Sequence, residues 1–346
     1  MSATENSNAI RPWLALIAAL ITLTAIVGAA TRLTGSGLSI TEWAPILGVI
    51  PPLGDAAWQQ TFEHYKAIPQ YAQLNQGMSL DAFKTIFWWE WGHRLLARSI
   101  GVLVLIPAVL FFARGMIPRA MGWKLAGLFA LGGLQGAAGW YMVSSGLVDR
   151  VDVSQYRLAL HLGLAVAILG CTLWLFLRLD PDHERRHFAT ITRRQAWTSA
   201  TLLALVYLQT LLGALVAGLK AGRTYNSWPL MDGAFVPQGL AQMSPGWRNL
   251  FENAATVQFN HRLLAYGLVA LAIAHAVSIN RTADDERVRF SAVALAVLML
   301  AQAALGVWTL LAWVPLGLGV AHQAGAMLVF AVAIWHLHTV RRANQA

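Results

Sequence analysis

The chain has 346 residues, 57% of them hydrophobic and 12% charged, where a soluble domain usually carries about a quarter charged residues. That composition excludes an ordinary soluble enzyme, and the net charge of +9 is spread over connectors rather than gathered into a nucleic-acid patch. The lone Cys171 excludes a disulfide framework and a thiolate metal site.

The N-terminal MSATENSNAIRPW is short and polar, with neither a secretory cleavage pattern nor an Arg/Ser-rich transit peptide. It runs into the first of a series of apolar stretches of roughly 20 residues, each long enough to cross ~30 Å of hydrocarbon. Eight spans are predicted, at about 12–30, 88–112, 122–143, 157–178, 196–218, 256–279, 288–311 and 316–338. Alternate connectors carry the cations: Arg11, then Arg114, Arg119 and Lys124, then Arg178, Arg185, Arg186, Arg193 and Arg194, then Arg281, Arg287 and Arg289, then Arg341 and Arg342. By the positive-inside rule that side is the cytoplasm, so both termini are inside and the long connectors 31–87 and 219–255 face out.

The chain says nearly the same thing twice. WWEWGHRLLAR at 88–98 is echoed by TVQFNHRLLAY at 256–266, and His161 in RLALHLGLAVAIL by His322 in LGVAHQAGAMLVF. Gly28, Gly37, Trp43 and Gly48 recur at one constant spacing as Gly213, Gly222, Trp228 and Gly233, and Gln135 recurs as Gln302. The reading is an all-α integral membrane protein of eight helices, built as two tandem four-helix bundles, residues 1–190 and 191–346. Parallel repeats of this kind are related by a pseudo-twofold about the membrane normal. In the third span, Gly132 and Gly136 have the spacing that lets helix backbones approach closely. Trp88, Trp89, Trp91, Trp140 and Trp313 read as an outer aromatic belt.

His93, His161, His261 and His322 all lie near the outer ends of even-numbered spans, at one depth. Intramembrane ionisable groups are costly and functional by default, and two histidines on neighbouring helices can ligate a haem iron from both faces. Zinc is the second metal reading, but it wants three or four protein ligands, and no Cys, Asp or Glu stands near the histidines of spans 4, 6 and 8. Arg94 and Arg262 follow their histidines, and Arg98 and Arg157 are about a turn from theirs. These suit haem propionates or, equally, snorkelling at the interface.

The halves differ where chemistry could live. Glu90, Arg98 and Arg157 in the first half stand where the second has Gln258, Tyr266 and Leu318. Glu90 shares a helix face with His93 and could move protons beside a porphyrin edge, or could cap the helix N-terminus. This asymmetry puts a permanent redox haem in the second half and a substrate site in the first. His275 and His336 each lie 14 residues beyond a repeated histidine. That spacing suits an inner haem of a diheme cytochrome or two ordinary interfacial histidines. His64, His183 and His187 read as solvated.

With TRLTGSGLSITEW after the first span, EWGHR, NHRLLA and the His161 and His322 helices, the whole chain resembles the haem A synthases of bacteria and mitochondria. It looks most like the variant with a long first outer loop and no cysteine pair in it. The resemblance implies an oxidoreductase acting on a CH3 group. Haem O is converted to haem A for cytochrome oxidase by successive hydroxylations of the C8 methyl to a formyl group. It implies a permanent haem b on His261 and His322, a substrate haem O on or beside His93 and His161, and an essential Glu90. It also implies a bacterial inner membrane location, and haem O synthase is the natural donor. A homo-oligomer is compatible with it, and the electron acceptor stays open. The other reading is a diheme b-type electron-transfer cytochrome that oxidises quinol.

Overall fold

The computed structural model describes residues 3–117, 119–180 and 190–344. His183, His187, Arg185 and Arg186 lie outside them. The described residues are mostly helical and hold no strand beyond one isolated bridge, Met231 to Ala234. In chain order the helices are α1 (Ala3–Leu33), α2 (Asp55–Lys66), α3 (Pro69–Leu74), α4 (Leu80–Ala113), α5 (Arg119–Ser144) and α6 (Gln155–Arg178). Then come α7 (Arg193–Gly218), α8 (Asn249–Glu252), α9 (Ala254–Thr282), α10 (Glu286–Leu311) and α11 (Leu316–Asn344).

Seven of these, among the described residues, are long and apolar enough to cross a membrane: α1 from Ala9, α4, α6, α7, α9, α10 and α11 as far as Ala343. Their long faces carry exposed apolar side chains, such as Ile106, Val109 and Leu110 on α4 and Phe290, Val297 and Leu300 on α10. Contiguous exposed apolar surface on this scale belongs against lipid rather than water. The expected third span forms α5 but is less apolar than the seven, because glycines, Gln135, Trp140 and Tyr141 dilute it.

Helix ends obey local chemistry. α4 starts eight residues earlier than its apolar run, because the Ser79 hydroxyl caps it by accepting from the Ala82 amide. α7 opens on a capping box of Thr192 and Gln195, and α9 on Asn253, whose side chain accepts from the Ala255 and Thr256 amides.

The chain divides into two compact units, Ala19–Ala165 and Met1–Ala18 with Val166–Ala346. In the second unit α7 packs on α9 and α11, and α10 packs on the same two, so the four helices close a ring. In the Ala19–Ala165 unit α4 packs on α5 and α2 on α4. There the 31–87 connector is not a bare loop. Leu38, Trp58, Phe62, Tyr65, Ile68, Phe83, Phe87 and Val143 form one buried cluster. The Phe62 and Phe83 rings stack at 4.9 Å between centroids. The Tyr65 hydroxyl donates to Gln70 Oε1 at 2.9 Å and accepts from Asn75 Nδ2 at 2.6 Å. This cluster makes a folded cap over the start of α4.

Gly132 and Gly136 do not mediate a close approach, since a Cβ at either would meet nothing within 4 Å. The close contact on α5 is one turn further on, at Gly139.

Candidate histidine and carboxylate sites

Glu90 sits ten residues into α4, so it does not cap the N-terminus, a role held by Ser79. It is 2% exposed, and its carboxylate is filled with donors. Oε2 accepts from the Ser39 hydroxyl and the Ile40 amide, each at 2.7 Å, and Oε1 accepts from Arg94 Nη2 at 2.6 Å. A buried carboxylate needs this full set of partners. Arg94 also donates to the Ile40 and Glu42 carbonyls, and Arg98 to the Pro45 and Ala44 carbonyls. Glu90, Arg94 and Arg98 thus pin the connector after α1 to the outer part of α4. Arg157 lies apart from this connector: it donates to the Tyr141 carbonyl and Ser144 Oγ, with its guanidinium 3.8 Å over the Tyr141 ring.

The matching positions of the other unit keep the tether but reverse its polarity. Gln258 Nε2 donates to the Ala221 and Tyr225 carbonyls, where Glu90 accepts. Arg262 donates to the Ser227 and Tyr225 carbonyls and to Gln258 Oε1. Tyr266, in the place of Arg98, accepts from Trp228 Nε1 at 2.9 Å. The arginines singled out for propionates therefore each hold protein carbonyls, while Arg98 Nη1 and Arg262 Nε remain buried without a partner.

The four repeated histidines fall into two pairs. His93 on α4 and His161 on α6 are near enough to interact electrostatically, and so are His261 on α9 and His322 on α11. Each ring is pressed against a glycine of the preceding helix. A Cβ built on Gly28, Gly139, Gly213 or Gly306 would come within 2.9, 2.9, 3.2 and 2.8 Å of the rings of His93, His161, His261 and His322. Those are contacts that real Cβ atoms rarely or never make, so the side chains fit only because these positions are glycine.

Three of the rings have a glutamine beside them, one turn before the glycine. Gln135 Nε2 donates to the His161 carbonyl at 3.1 Å and lies 3.1 Å from its Nδ1. Gln302 Nε2 donates to the His322 carbonyl at 2.8 Å and lies 3.1 Å from its Nδ1. Gln209 Nε2 donates to the His261 carbonyl at 3.0 Å. The sequence held the signal, Q-x-x-x-G at 135–139, 209–213 and 302–306, but comparing half with half paired the glycines and the glutamines separately.

His275 on α9 and His336 on α11 meet inside the helix ring. Both are buried, with Nε2 atoms 2.9 Å apart, and Ser199 Oγ lies 3.1 and 3.3 Å from the two. Ser291 Oγ holds His336 Nδ1 at 2.9 Å. An iron bonded to both rings at the usual ~2 Å would need them about 4 Å apart. The pair is a closed hydrogen-bonded contact and does not fit an inner haem. Among the described residues no cluster of three His, Cys, Asp or Glu side chains could hold a metal ion, so a zinc set is absent there. His64 Nδ1 pairs with Glu42 Oε1 at 3.0 Å in the exposed part of the cap.

A family model described as cytochrome oxidase assembly protein, COX15-CtaA, matches residues 11–334. A protein of Parvibaculum lavamentivorans named haem A synthase is 50% identical over 337 residues, 97% of this chain and 96% of that one. One of Rhodopseudomonas palustris with the same name is 52% identical over 338 residues, 97% and 92% of the two chains. One of a Chelativorans species, likewise named, is 50% identical over 343 residues, 99% and 94% of the two. With two histidine pairs, a buried carboxylate beside one of them and near-complete matches at about half identity, the chain belongs to the COX15-CtaA family of cytochrome oxidase assembly proteins.

Proposed function

We infer that the chain is a haem A synthase, a membrane oxidoreductase of haem A biosynthesis. The observation that carries this is the likeness to haem A synthases at about half identity over nearly all of both chains. The competing diheme cytochrome drew its support from His275 and His336, whose direct contact does not favour it.

The residues fit a haem-type group. Each pair sets two imidazoles near one another on separate helices, with glycine rather than a side chain behind each ring. His261 Nδ1 and the Oε1 atoms of Gln135 and Gln209 are buried without partners, leaving polar atoms free to answer a change of ring tautomer. In this reading His261 and His322 hold haem b with Arg262 at its edge. His93 and His161 receive the substrate, haem O, with Arg94, Arg98 and Arg157 near its propionates. Bound haem b supplies one-electron redox chemistry.

The chain's own residues do the rest. The Ser39 hydroxyl and Ile40 amide hold Glu90 Oε2, and Arg94 holds Oε1. Glu90, three residues before His93 on α4, is thereby a fixed carboxylate, and it would take up a proton released as the substrate methyl is oxidised, the electrons passing to an acceptor, while Arg94 keeps its bonds to the Ile40 and Glu42 carbonyls. The half-one site carries this carboxylate and half two carries the amide of Gln258, which cannot take a proton at neutral pH. The oxidation would run by successive hydroxylation of the C8 methyl to a formyl group. The wider frame of the reading has eight spans in two tandem halves, residues 1–190 and 191–346. Both termini are cytoplasmic, the haem sites lie toward the periplasmic side, and haem O synthase is the donor. Arg11, Arg281 and Arg341 on the inner connectors support that orientation.

Expression with a source of haem O, followed by haem extraction and mass analysis, tests the activity. Haem A in the extract is the expected result, and haem O with haem b alone would overturn it.

A further inference from the structure

The four histidines are alike in sequence but not in how they are held, and the difference singles out one of them. At 135–139, 209–213 and 302–306 the helix before the histidine reads Gln-x-x-x-Gly. At 24–28 it reads Thr-x-x-x-Gly. The glutamines reach the carbonyls of His161, His261 and His322, and two of them also lie beside the ring Nδ1. Thr24 cannot do this, because its hydroxyl donates within its own helix to the Leu20 carbonyl at 2.7 Å. Gln302 is itself seated by a second helix: a Cβ on Gly325 of α11 would overlap its Oε1.

Ring orientation separates the same three from the fourth. The glycine faces Cε1 first in His161, His261 and His322, at 2.9, 3.2 and 2.8 Å from a built Cβ. In His93 it faces Nε2 first, at 2.9 Å. The three glutamine-held rings share one edge against their glycine, and the fourth is turned so that Nε2 lies on α1.

A polar group held beside a ligating histidine fixes the orientation of its ring. At His161 and His322 one amide Nε2 stands 3.1 Å from Nδ1 and donates to the same residue's carbonyl, so ring edge and backbone are held together. At His261 the hold is on the backbone carbonyl, with Gln209 Nε2 3.4 Å from the ring Nε2 and Nδ1 left unpaired.

We propose that Gln135, Gln209 and Gln302 are positioning residues that lock His161, His261 and His322 as axial ligands. His93, which has Thr24 in place of a glutamine, is then the yielding ligand through which the substrate haem enters and the product leaves. This rests on the reading of the histidine pairs as haem sites. It gives the two halves different jobs by a single substitution: a cofactor pair locked on both sides, and a substrate pair locked on one.

The test uses the full-length purified protein with its resident haem. Gln209→Leu and Gln302→Leu should shift the low-spin electron paramagnetic resonance g-values of that haem and weaken its retention by about 10–100-fold. Unchanged g-values and retention in both would overturn the lock. Thr24→Gln should raise the amount of substrate or product haem that co-purifies and slow turnover. Gln135→Leu, which loosens the remaining ligand of that pair, should lower the amount. If neither variant changes it, His93 is not the yielding ligand. His261→Ala and His322→Ala run alongside: a surviving bis-histidine signal in both would overturn the haem reading itself, whatever the glutamine variants show.

Discussion

Arg94 Nη2 donates to Glu90 Oε1 across 2.6 Å, one helical turn back along α4. Both side chains are largely buried, at 17% and 3% exposed, and both reach the connector that follows α1. The buried carboxylate three residues before His93 is thereby made part of the device that fastens the outer connector to the helix.

Glu90→Gln should retain the fold and the resident haem but make no haem A. The amide oxygen can still accept from Ser39 and Ile40, but its NH2 then faces the donor Arg94, so a stability loss of about 1–3 kcal/mol is expected. Extracted haem by mass and a thermal melt check both halves of this. Wild-type levels of haem A would leave Glu90 a purely structural residue. Arg94→Leu strands the carboxylate and should cost more, about 3–5 kcal/mol.

The four histidines should separate by function. His261→Ala and His322→Ala are expected to lose the low-spin haem b spectrum. His93→Ala and His161→Ala should keep most of it yet stall oxidation, with a hydroxylated product accumulating. Comparing haem b content and product profile across the four variants decides the assignment; the reverse pattern would exchange the two halves.

Gly306→Ala puts a methyl 2.8 Å from His322 Cε1 and should displace the ring, with loss of most bound haem b. Gly127→Ala on α5 meets nothing within 4 Å and should be neutral or slightly stabilising, since alanine is the better helix former. Absorption spectra of the two purified variants make the comparison, and equal haem content would remove the close-approach argument.

The outer cap should be a cooperative unit. Phe83 is fully buried between Phe62 and Tyr65, so Phe83→Ala should cost about 3–5 kcal/mol locally and open residues 55–75 to proteolysis. Burial pushes the Tyr65 phenol above its ordinary value of about 10. The sign follows: the cap's stability is fully present below pH ~10 and is lost as pH rises through the raised value, because only the unfolded cap ionises freely. Proteolysis of the cap should therefore accelerate above pH ~10 in the wild type and less so in Tyr65→Phe.

Features that depend on spacing along one helix are legible in the residues alone. Runs of apolar residues set α1, α4, α6, α7 and α9–α11. The echo of WGHRLLA in FNHRLLA found the histidines, and the mismatch of Glu90 with Gln258 found the carboxylate. Even the family could be read from those motifs. Which atoms meet between helices depends instead on packing. Helical spacing puts His275 on the same face of α9 as His261 but cannot say that its Nε2 lies 2.9 Å from His336, within hydrogen-bonding distance. The sequence offers Gly132 and Gly136 for close packing, whereas the rotation of α5 brings Gly139 to His161 instead. The arginines were legible as cations near histidines, but the partners of Arg94, Arg98 and Arg262 are carbonyls of connectors whose paths are set by contacts far apart in the chain. Residue identity fixes which face of a helix is polar; the separation and rotation of neighbouring helices fix what that face touches.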